Sequence, residues 1–554
     1  MKILILGGYG VFGGHLAELL ADQADLQMLI AGRNLDRAVQ FCERFQGAAS
    51  VAPVQLDRAA LQDHIKTLAP NLVVDASGPF QDYGDDRYPV IQTCIDAGVN
   101  YLDFADGADF VCGVPQFDQA ARDAGVFVLS GVSSCPVLTS AVLREMTKTM
   151  EIATVRGGIA PSPFAGIGLN VIRAVVGYAG ASVKLTRNGQ PTPAIALGES
   201  LRYTIAVPGK VPLRNKRFSL VDVPDLQLLP AEYPTLSDIW MGAGTVPEIL
   251  QRGLNLLAKA RAKLRLPSFA PLAPLFHKVL NLMTFGEHRG GMFVHATGHH
   301  NGTPVEQSWH LLAEGDSGPF IPSMPIAILI RKCLHNAPPS VGVTQATHAL
   351  DLGEYDPMFK ARGISTGFRR TSSTPEPLYR HVLGDAFQSL PPTVQAIHDN
   401  TTSDVWTGTA SVRRGTNFLA KALCPIFGFP PTSPKTPVEV QFERKNGTEI
   451  WKRRFGNSAF RSYQKRGTGR NARMIVERFG PFSIALALEL RDDKLYLISR
   501  RWTALGLPLP SVFLPTGDIY EAEVNGTFQF NVEIRVPLIG LLVAYTGTLA
   551  PAET

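Results

Sequence analysis

Over the first 150 residues the apolar positions fall into short runs, Ile3 to Leu6, Gln27 to Ala31, Leu72 to Asp75, Tyr101 to Phe104 and Val126 to Ser130, with helical patterns between them. Alternating strand and helix segments predict a parallel, doubly wound sheet whose ligands bind at the carboxyl ends of the strands. After residue 150 the segments lengthen and glycine and proline punctuate them. Gly290 to Thr297 and Val305 to Leu312 are strand-like and are joined through Asn301-Gly302, a pairing that predicts a hairpin. Ile326 to Leu334 reads as a helix that returns to the first domain, and Thr371-Ser372-Ser373-Thr374-Pro375-Glu376-Pro377 reads as a linker. From Pro437 onward the pattern is strand-like again: Val438 to Phe442, Met474 to Phe479, Ile484 to Leu490, Lys494 to Arg501, Tyr520 to Val524, Thr527 to Val536 and Val543 to Leu549. Short strands separated by turn signals, with Asn446-Gly447 and Asn525-Gly526 as tight turns, predict a curved antiparallel sheet or partial barrel. The expected fold class is α/β: a Rossmann domain over residues 1–150, an α+β substrate or dimerisation domain over 151–370, and a β-rich domain over 378–554.

The first strand runs straight into Gly8-x-Gly10-x-x-Gly13 and a helical pattern over Val11 to Leu20. This is a dinucleotide-binding fingerprint. Gly8 is read as the tight turn, Gly10 as the point of backbone approach to a pyrophosphate, and Gly13 as the close helix–strand contact. The second strand ends Ala31-Gly32-Arg33-Asn34 with no acid at its tip. A ribose 2′-hydroxyl calls for an acid there and a 2′-phosphate for an arginine, so Arg33 favours NADP(H), with NAD(H) the second choice. Two loops leave the carboxyl ends of later strands, Asp75 to Phe80 and Gly131 to Pro136. The residues expected to touch cofactor are Gly7, Gly8, Tyr9, Gly10, Val11, Phe12, Gly13, Arg33, Ala76, Ser77, Gly78 and Pro79.

Composition narrows the class. The 554 residues are 45% hydrophobic and 18% charged with a net charge of +5, which suits a globular multidomain chain and gives no argument for nucleic acid. Six scattered cysteines without a C-x-x-C pair indicate a reducing compartment and neither a disulfide framework nor a zinc site. Because the first strand begins at residue 3 and no apolar run reaches spanning length, a cytoplasmic protein is expected.

Hydride transfer requires a group that supplies or accepts a proton. Asp103 and Tyr101 on the strand after Gly98 are candidates, against structural roles as a backbone anchor and a core side chain. Cys135, ahead of Pro136 and a helix, is a third candidate as a polarised thiol, against a role as a small buried hydrophobe. No tyrosine has a lysine four residues later, which argues against the short-chain reductases. His295, His299, His300 and His310 lack a carboxylate or cysteine placed to complete a zinc site, so no metal is expected. Arg252 to Lys278 places Arg261, Lys263 and Arg265 among leucines and alanines; a solvated helix face is favoured there over contact with lipid.

Gly7-Gly8-Tyr9-Gly10-Val11-Phe12-Gly13-Gly14, Ala31-Gly32-Arg33, Val73 to Phe80 and Ala97 to Asp103 resemble the saccharopine dehydrogenase-like family of NAD(P)-binding proteins. The resemblance is looser out to about residue 365, through Gly298, Trp309 and Gly318-Pro319. It implies a Rossmann domain, a nicotinamide cofactor and chemistry at a C–N or C–O centre. The chain departs from the saccharopine reductases at Ser134-Cys135-Pro136, where those enzymes carry an acid. The tail from Leu378 to Gly547 resembles an uncharacterised bacterial domain often found behind such modules. The expected function is an NADP(H)-dependent oxidoreductase that passes hydride to or from an imine or carbonyl of a small molecule. The alternatives are a non-catalytic NADPH-binding sensor or scaffold and a lipid-handling protein at the membrane surface. A homodimer is compatible with the sequence, and peripheral membrane contact is the less favoured expectation.

Overall fold

A computed structural model of the protein describes residues 1–80, 83–84, 86–166, 168–244, 247–282, 285–371, 376–399 and 404–552. Residues 372–375 of the expected linker lie outside them. The chain forms two compact units, Met1–Tyr203 with Lys216–Ser365, and Thr204–Asn215 with Thr366–Thr554.

The first unit contains a parallel sheet built from β1 (Lys2–Leu6), β2 (Gln27–Gly32), β3 (Ser50–Gln55), β4 (Leu72–Asp75), β5 (Asn100–Asp103) and β6 (Phe127–Leu129). Their order is β3-β2-β1-β4-β5-β6, and the two-residue strand Gly342–Val343 adds a seventh position beyond β6. Ile3, Leu4 and Ile5 are completely buried at its centre, as strands covered on both faces require. β3 does not stand out in the sequence because its apolar content is low and Pro53 interrupts it. An edge strand tolerates a proline, since one side of its backbone needs no donor. The order reverses between β1 and β4, and that switch point opens a crevice at the strand ends.

The helix α1 (Val11–Leu19) follows β1, and α2 (Leu35–Arg44) follows β2. A second sheet in the same unit is mixed. Its strands run Ser200–Tyr203, Lys216–Leu220, Asp238–Ala243, Glu151–Ala160, Arg289–His300 and Thr303–Glu314 in spatial order. The last two form the expected hairpin, with Asn301 and Gly302 at φ 49° and 77° in its turn. Positive φ at both central residues matches the right-handed twist of the strands. The helix Met324–Leu334 returns to α1: Ser323 Oγ donates to Phe12 O at 3.0 Å, and Arg331 grips Asp22 at 3.0 and 2.6 Å and Leu19 O at 2.8 Å.

The second unit is a closed antiparallel barrel rather than a partial one. Ten strands form the ring: Asp404–Arg414, Ser433–Lys445, Thr448–Phe455, Ser458–Arg466, Ile475–Phe479, Phe482–Arg491, Lys494–Ala504, Ile519–Val524, Thr527–Val536 and Gly540–Pro551. Pairing of Phe482–Arg491 with Lys494–Ala504 and of Asp404–Arg414 with Gly540–Pro551 completes the circuit. Closure satisfies backbone groups that an open sheet leaves at its edges. Asn446-Gly447 and Asn525-Gly526 adopt the expected tight turns, with φ of 50°, 71°, 51° and 72°. Trp406, Phe442, Phe455 and Phe528 fill the core. The short helices Leu378–Leu383 and Pro392–Asp399 pack against the barrel through Tyr379 and Ile397.

Candidate active site

The glycine turn is built one residue earlier than the sequence reading places it. Gly7 holds φ +74°, and a Cβ there would stand 2.7 Å from Ala76 O, so this is the position that requires glycine for the turn. Gly8 lies against Ile30 of β2, and a Cβ on Gly13 would stand 2.6 Å from Gly7 O. Gly10 N-caps α1 without a side chain, and its N–H donates to Gly7 O at 2.8 Å. The first amides of α1 are therefore available to an anion at the helix N-terminus, beside the exposed Val11. Phe12 stacks on Phe104 with centroids 5.7 Å apart, which ties the start of α1 to the end of β5.

Beside this turn the end of β2 forms a basic corner. The Asn34 N–H donates to Tyr9 Oη at 3.1 Å, and the Arg37 guanidinium sits 5.0 Å from the Tyr9 ring centroid. Tyr9 lies so close to Gly32 that a Cβ would meet the ring at 2.3 Å. Arg33 and Arg37 are both exposed here, and the nearest acid in sequence, Asp36, is on the first turn of α2 rather than at the strand tip. Arg37 escaped the sequence reading; its signal was its position four residues after Arg33, one helical turn on. Two arginines and a tyrosine at this corner fit a 2′-phosphate, and the amides of α1 fit a pyrophosphate.

Two carboxylates are neighbours at the ends of β4 and β5, where Asp75 and Asp103 are register partners and fully buried. Asp75 Oδ1 accepts from the Ser77 N–H at 2.9 Å and from Ser77 Oγ at 2.5 Å, and Tyr83 Oη donates to Oδ2 at 3.2 Å. The following loop is fixed at Ala76, whose N–H donates to Leu6 O at 2.9 Å, and at Gly78, whose carbonyl accepts from Asn170 Nδ2 at 3.1 Å. Pro79 follows in a cis peptide. Asp103 Oδ1 accepts from the N–H groups of Ala105 at 2.9 Å and Gly131 at 2.7 Å, so it anchors both loops that leave this edge. Burial raises its carboxyl to about 7, against the pull of those donors.

Tyr101 is fully buried with no hydrogen-bond partner for its hydroxyl, and burial drives its acidity far down. Cys135 is also buried. Desolvation, reinforced by Asp225 and Asp106, raises its pKa well above the ordinary thiol value, which holds it as the thiol and opposes the polarised form expected from a helix N-terminus.

A group of acids that the sequence did not bring together lies beyond β5. Asp106 and Asp109 follow that strand, while Asp222 and Asp225 follow the strand Lys216–Leu220, more than a hundred residues later. Burial first, then the Asp109 and Asp106 carboxylates, raise Asp222 to about 6, with Lys184 opposing. Asp225 is fully buried and raised to about 7 by desolvation; neither oxygen has a well-formed hydrogen bond, although the Thr139 hydroxyl lies close enough to oppose the shift. Lys184 Nζ stands 3.9 Å from Asp109, whose Oδ1 also accepts from Gln227 Nε2 at 3.3 Å. Asp222 and Asp225 carry protons at pH values where ordinary carboxylates have lost them.

The histidines are accounted for otherwise. His310 is buried against Ser308 Oγ at 2.9 Å, His295 meets Tyr203 Oη at 3.2 Å, and His299 and His300 are exposed at the hairpin tip. Among the described residues no group of three or more His, Cys, Asp or Glu side chains is arranged to hold a metal ion.

A doubly wound sheet, a glycine turn that opens onto α1 and a corner with two arginines together have the form of a dinucleotide-binding domain. Residues 3–129 match the family model of the saccharopine dehydrogenase NADP binding domain, and residues 390–549 match that of a domain of unknown function, DUF4166. The chain is accordingly an NAD(P)-dependent oxidoreductase with an NADP-type nucleotide domain and a barrel of uncharacterised type behind it. No curated protein matches the chain. Among solved structures, saccharopine dehydrogenase (L-Glu forming) from Saccharomyces cerevisiae is similar at 12% identity and TM-score 0.46, over 67% of this chain and 100% of that one. Amine dehydrogenase from Mycobacterium smegmatis is similar at 11% identity and TM-score 0.32, over 63% and 95%. The WlbA dehydrogenase from Thermus thermophilus, solved with NAD and alpha-ketoglutarate, is similar at 11% identity and TM-score 0.27, over 64% and 94%.

Proposed function

We propose that the first unit reduces an imine, or runs the reverse oxidation of an amine, with NADP(H) as the hydride carrier. The observation that carries this reading is the acidic group Asp106, Asp109, Asp222 and Asp225 beyond the end of β5, in which Asp222 is raised to about 6 and Asp225 to about 7. Several acids around one lysine favour a cationic nitrogen over a neutral carbonyl oxygen. The nicotinamide supplies or takes up the hydride at the substrate carbon. The turn at Gly7 to Gly13 and the first amides of α1 hold the pyrophosphate, with Tyr9, Val11 and Phe12 around it. Arg33 and Arg37 hold the 2′-phosphate, and Ala76, Ser77, Gly78 and Pro79 border the nucleotide from β4. Asp222, protonated near pH 6, delivers a proton to the nitrogen during reduction and accepts it in the reverse direction. Asp103 supports the two loops at this edge as a positioning residue, and Tyr101 and Cys135 are buried side chains of the core.

The test is to mix the purified chain with NADPH and pooled aldehyde-plus-amine or ketone substrates and follow loss of reduced-nicotinamide absorbance. Oxidation only with the aldehyde-plus-amine pools supports the proposal. Oxidation with ketones alone replaces it with carbonyl reduction, and tight NADPH binding without turnover on either pool returns the sensor reading.

A second reading, contact with a membrane surface, is favoured by one observation in the same unit. Helices Glu248–Leu264 and Ala273–Leu282 turn outward Ile249, Leu256, Leu264, Leu275 and Leu282, each 60% exposed or more, beside Arg252, Lys259 and Lys263. The exposed face of these helices carries apolar residues as well as basic ones. Among the described residues no helix is long and apolar enough to cross a membrane. Flotation with anionic vesicles that weakens at high salt supports peripheral contact; absence of flotation at low salt removes it.

A further inference from the structure

The barrel holds a cavity of about 110 Å³ that opens to solvent at its mouth. Its lining is two-sided. On most strands the lining residues are apolar, such as Val440, Leu486, Leu497 and Phe528. Three adjacent strands, Thr448–Phe455, Ser458–Arg466 and Ile475–Phe479, supply a polar wall instead, with Trp451, Arg453, Gln464 and Glu477. All four reach the cavity, and Trp451, Gln464 and Glu477 are at most 8% exposed. A core that existed only to close the barrel would carry apolar residues here, because each buried polar group costs free energy unless it is bonded.

The ionisable groups on and beside this wall are paired. Glu477 faces Arg453 at 3.5 Å, Glu449 faces Arg444 at 3.1 Å, and Glu521, which also lines the cavity, bonds His398 Nε2. Arg453 is further engaged through Ser462 Oγ at 2.8 Å and the Trp451 ring, 4.6 Å away. An anionic ligand would have to displace a carboxylate from its cation, and a cationic ligand would have to displace the cation. Two groups beside Arg453 nevertheless make no hydrogen bond: the Trp451 Nε1–H, a donor, and Glu477 Oε1, an acceptor that meets Arg453 only as an ion pair at 3.5 Å. A buried donor and a buried acceptor in one cavity call for a ligand head that can both accept and donate.

We propose that the barrel is a binding site for a neutral amphiphile with a hydroxylated head, whose apolar body lies against the Val440, Leu497 and Phe528 side. Its hydroxyl oxygens accept from Trp451 Nε1 and donate to Glu477 Oε1. The site belongs to the second unit alone and does not rest on the redox reading of the first.

The experiment is calorimetric titration of the full chain with monodecanoylglycerol and, separately, with decanoate, which has the same acyl chain and a charged head. Monodecanoylglycerol is expected to bind once per chain and at least about tenfold more tightly than decanoate, the scale of one unfavourable charge burial. Val440→Trp, which fills the apolar side, is expected to abolish binding while NADPH affinity stays unchanged. Trp451→Phe, which keeps the ring and removes the donor, is expected to weaken binding about fivefold. No binding of monodecanoylglycerol, equal or tighter binding of decanoate, or full affinity in Trp451→Phe overturns the proposal. Undiminished binding in a Val440→Trp chain that retains its thermal transition does so as well. If Val440→Trp fails to fold, the Trp451→Phe result decides.

Discussion

Arg33→Ala tests the basic corner directly. Arg33 is exposed just after β2, and Arg37, four residues on, sits over the Tyr9 ring. A charge-assisted hydrogen bond to phosphate is worth about 1.5 to 3 kcal/mol, and solvent and salt at an exposed corner push the value to the lower end of that range. A loss of about 1.5 kcal/mol corresponds to roughly a tenfold weaker Kd for NADPH. NADH, which lacks the 2′-phosphate, should change by less than about twofold, so the preference between the two cofactors collapses by about a factor of ten. Arg37→Ala should act in the same direction, and the double variant should bind the two cofactors nearly alike. Fluorescence titration of both nucleotides at low and at high salt reads this, with the NADPH penalty shrinking as salt rises. Equal weakening of NADPH and NADH by Arg33→Ala would refute the assignment, because it would mean that the arginine supports the fold or the pyrophosphate rather than the 2′-phosphate.

Asp222→Asn should lower turnover by about a hundredfold or more, and imine reduction by the unaltered chain should fall as pH rises through about 6, a limb the variant lacks; an unchanged pH profile would exclude Asp222 as the acid. Asp225 has its carboxyl raised to about 7 in the folded chain, so the native state binds the extra proton and Asp225 weakens the fold progressively as pH rises from about 4 to 7. Asp225→Asn should therefore raise Tm at pH 8 by an amount that disappears toward pH 4, and a pH-independent change in Tm would show that the carboxyl is not shifted. Gly32→Ala puts a Cβ 2.3 Å from the Tyr9 ring, so it should displace Tyr9 and weaken NADPH while costing about 1 to 3 kcal/mol of stability, read by urea unfolding; an unaffected NADPH Kd would separate Tyr9 from the cofactor.

The parts of the fold legible in the sequence are those in which one local signal is enough. The glycine turn, the buried strands β1, β2, β4 and β5, and the Asn-Gly turns each require particular residues within a few positions. The strands Thr448–Phe455 and Ser458–Arg466 did not stand out because Glu449, Arg453, Ser462 and Gln464 occupy alternate positions where an apolar residue signals burial. Two of these polar residues, Arg453 and Gln464, line the barrel's cavity. The nucleotide corner was half legible, since Arg33 ends a strand but Arg37 acquires meaning only once α2 folds over Tyr9. Asp106 and Asp109 are visible in the sequence as acids in the run after Asp103, but their meeting with Asp222 and Asp225 was not legible, because a long stretch of chain separates the two pairs and no periodicity links them.

The strand Gly342–Val343 pairs with β6, and the helix Met324–Leu334 covers α1, so the nucleotide-binding sheet draws on both ends of a long stretch of chain. During synthesis, β1 to β6 emerge early but have neither their outermost neighbour nor the cover for α1 until about residue 343 has been made. The cofactor module thus reaches its final form only after the strands of the second sheet up to Glu314 have been made. A nascent or truncated chain that stops short of that point presents an open sheet edge and a bare helix face, features that chaperones and self-association both exploit.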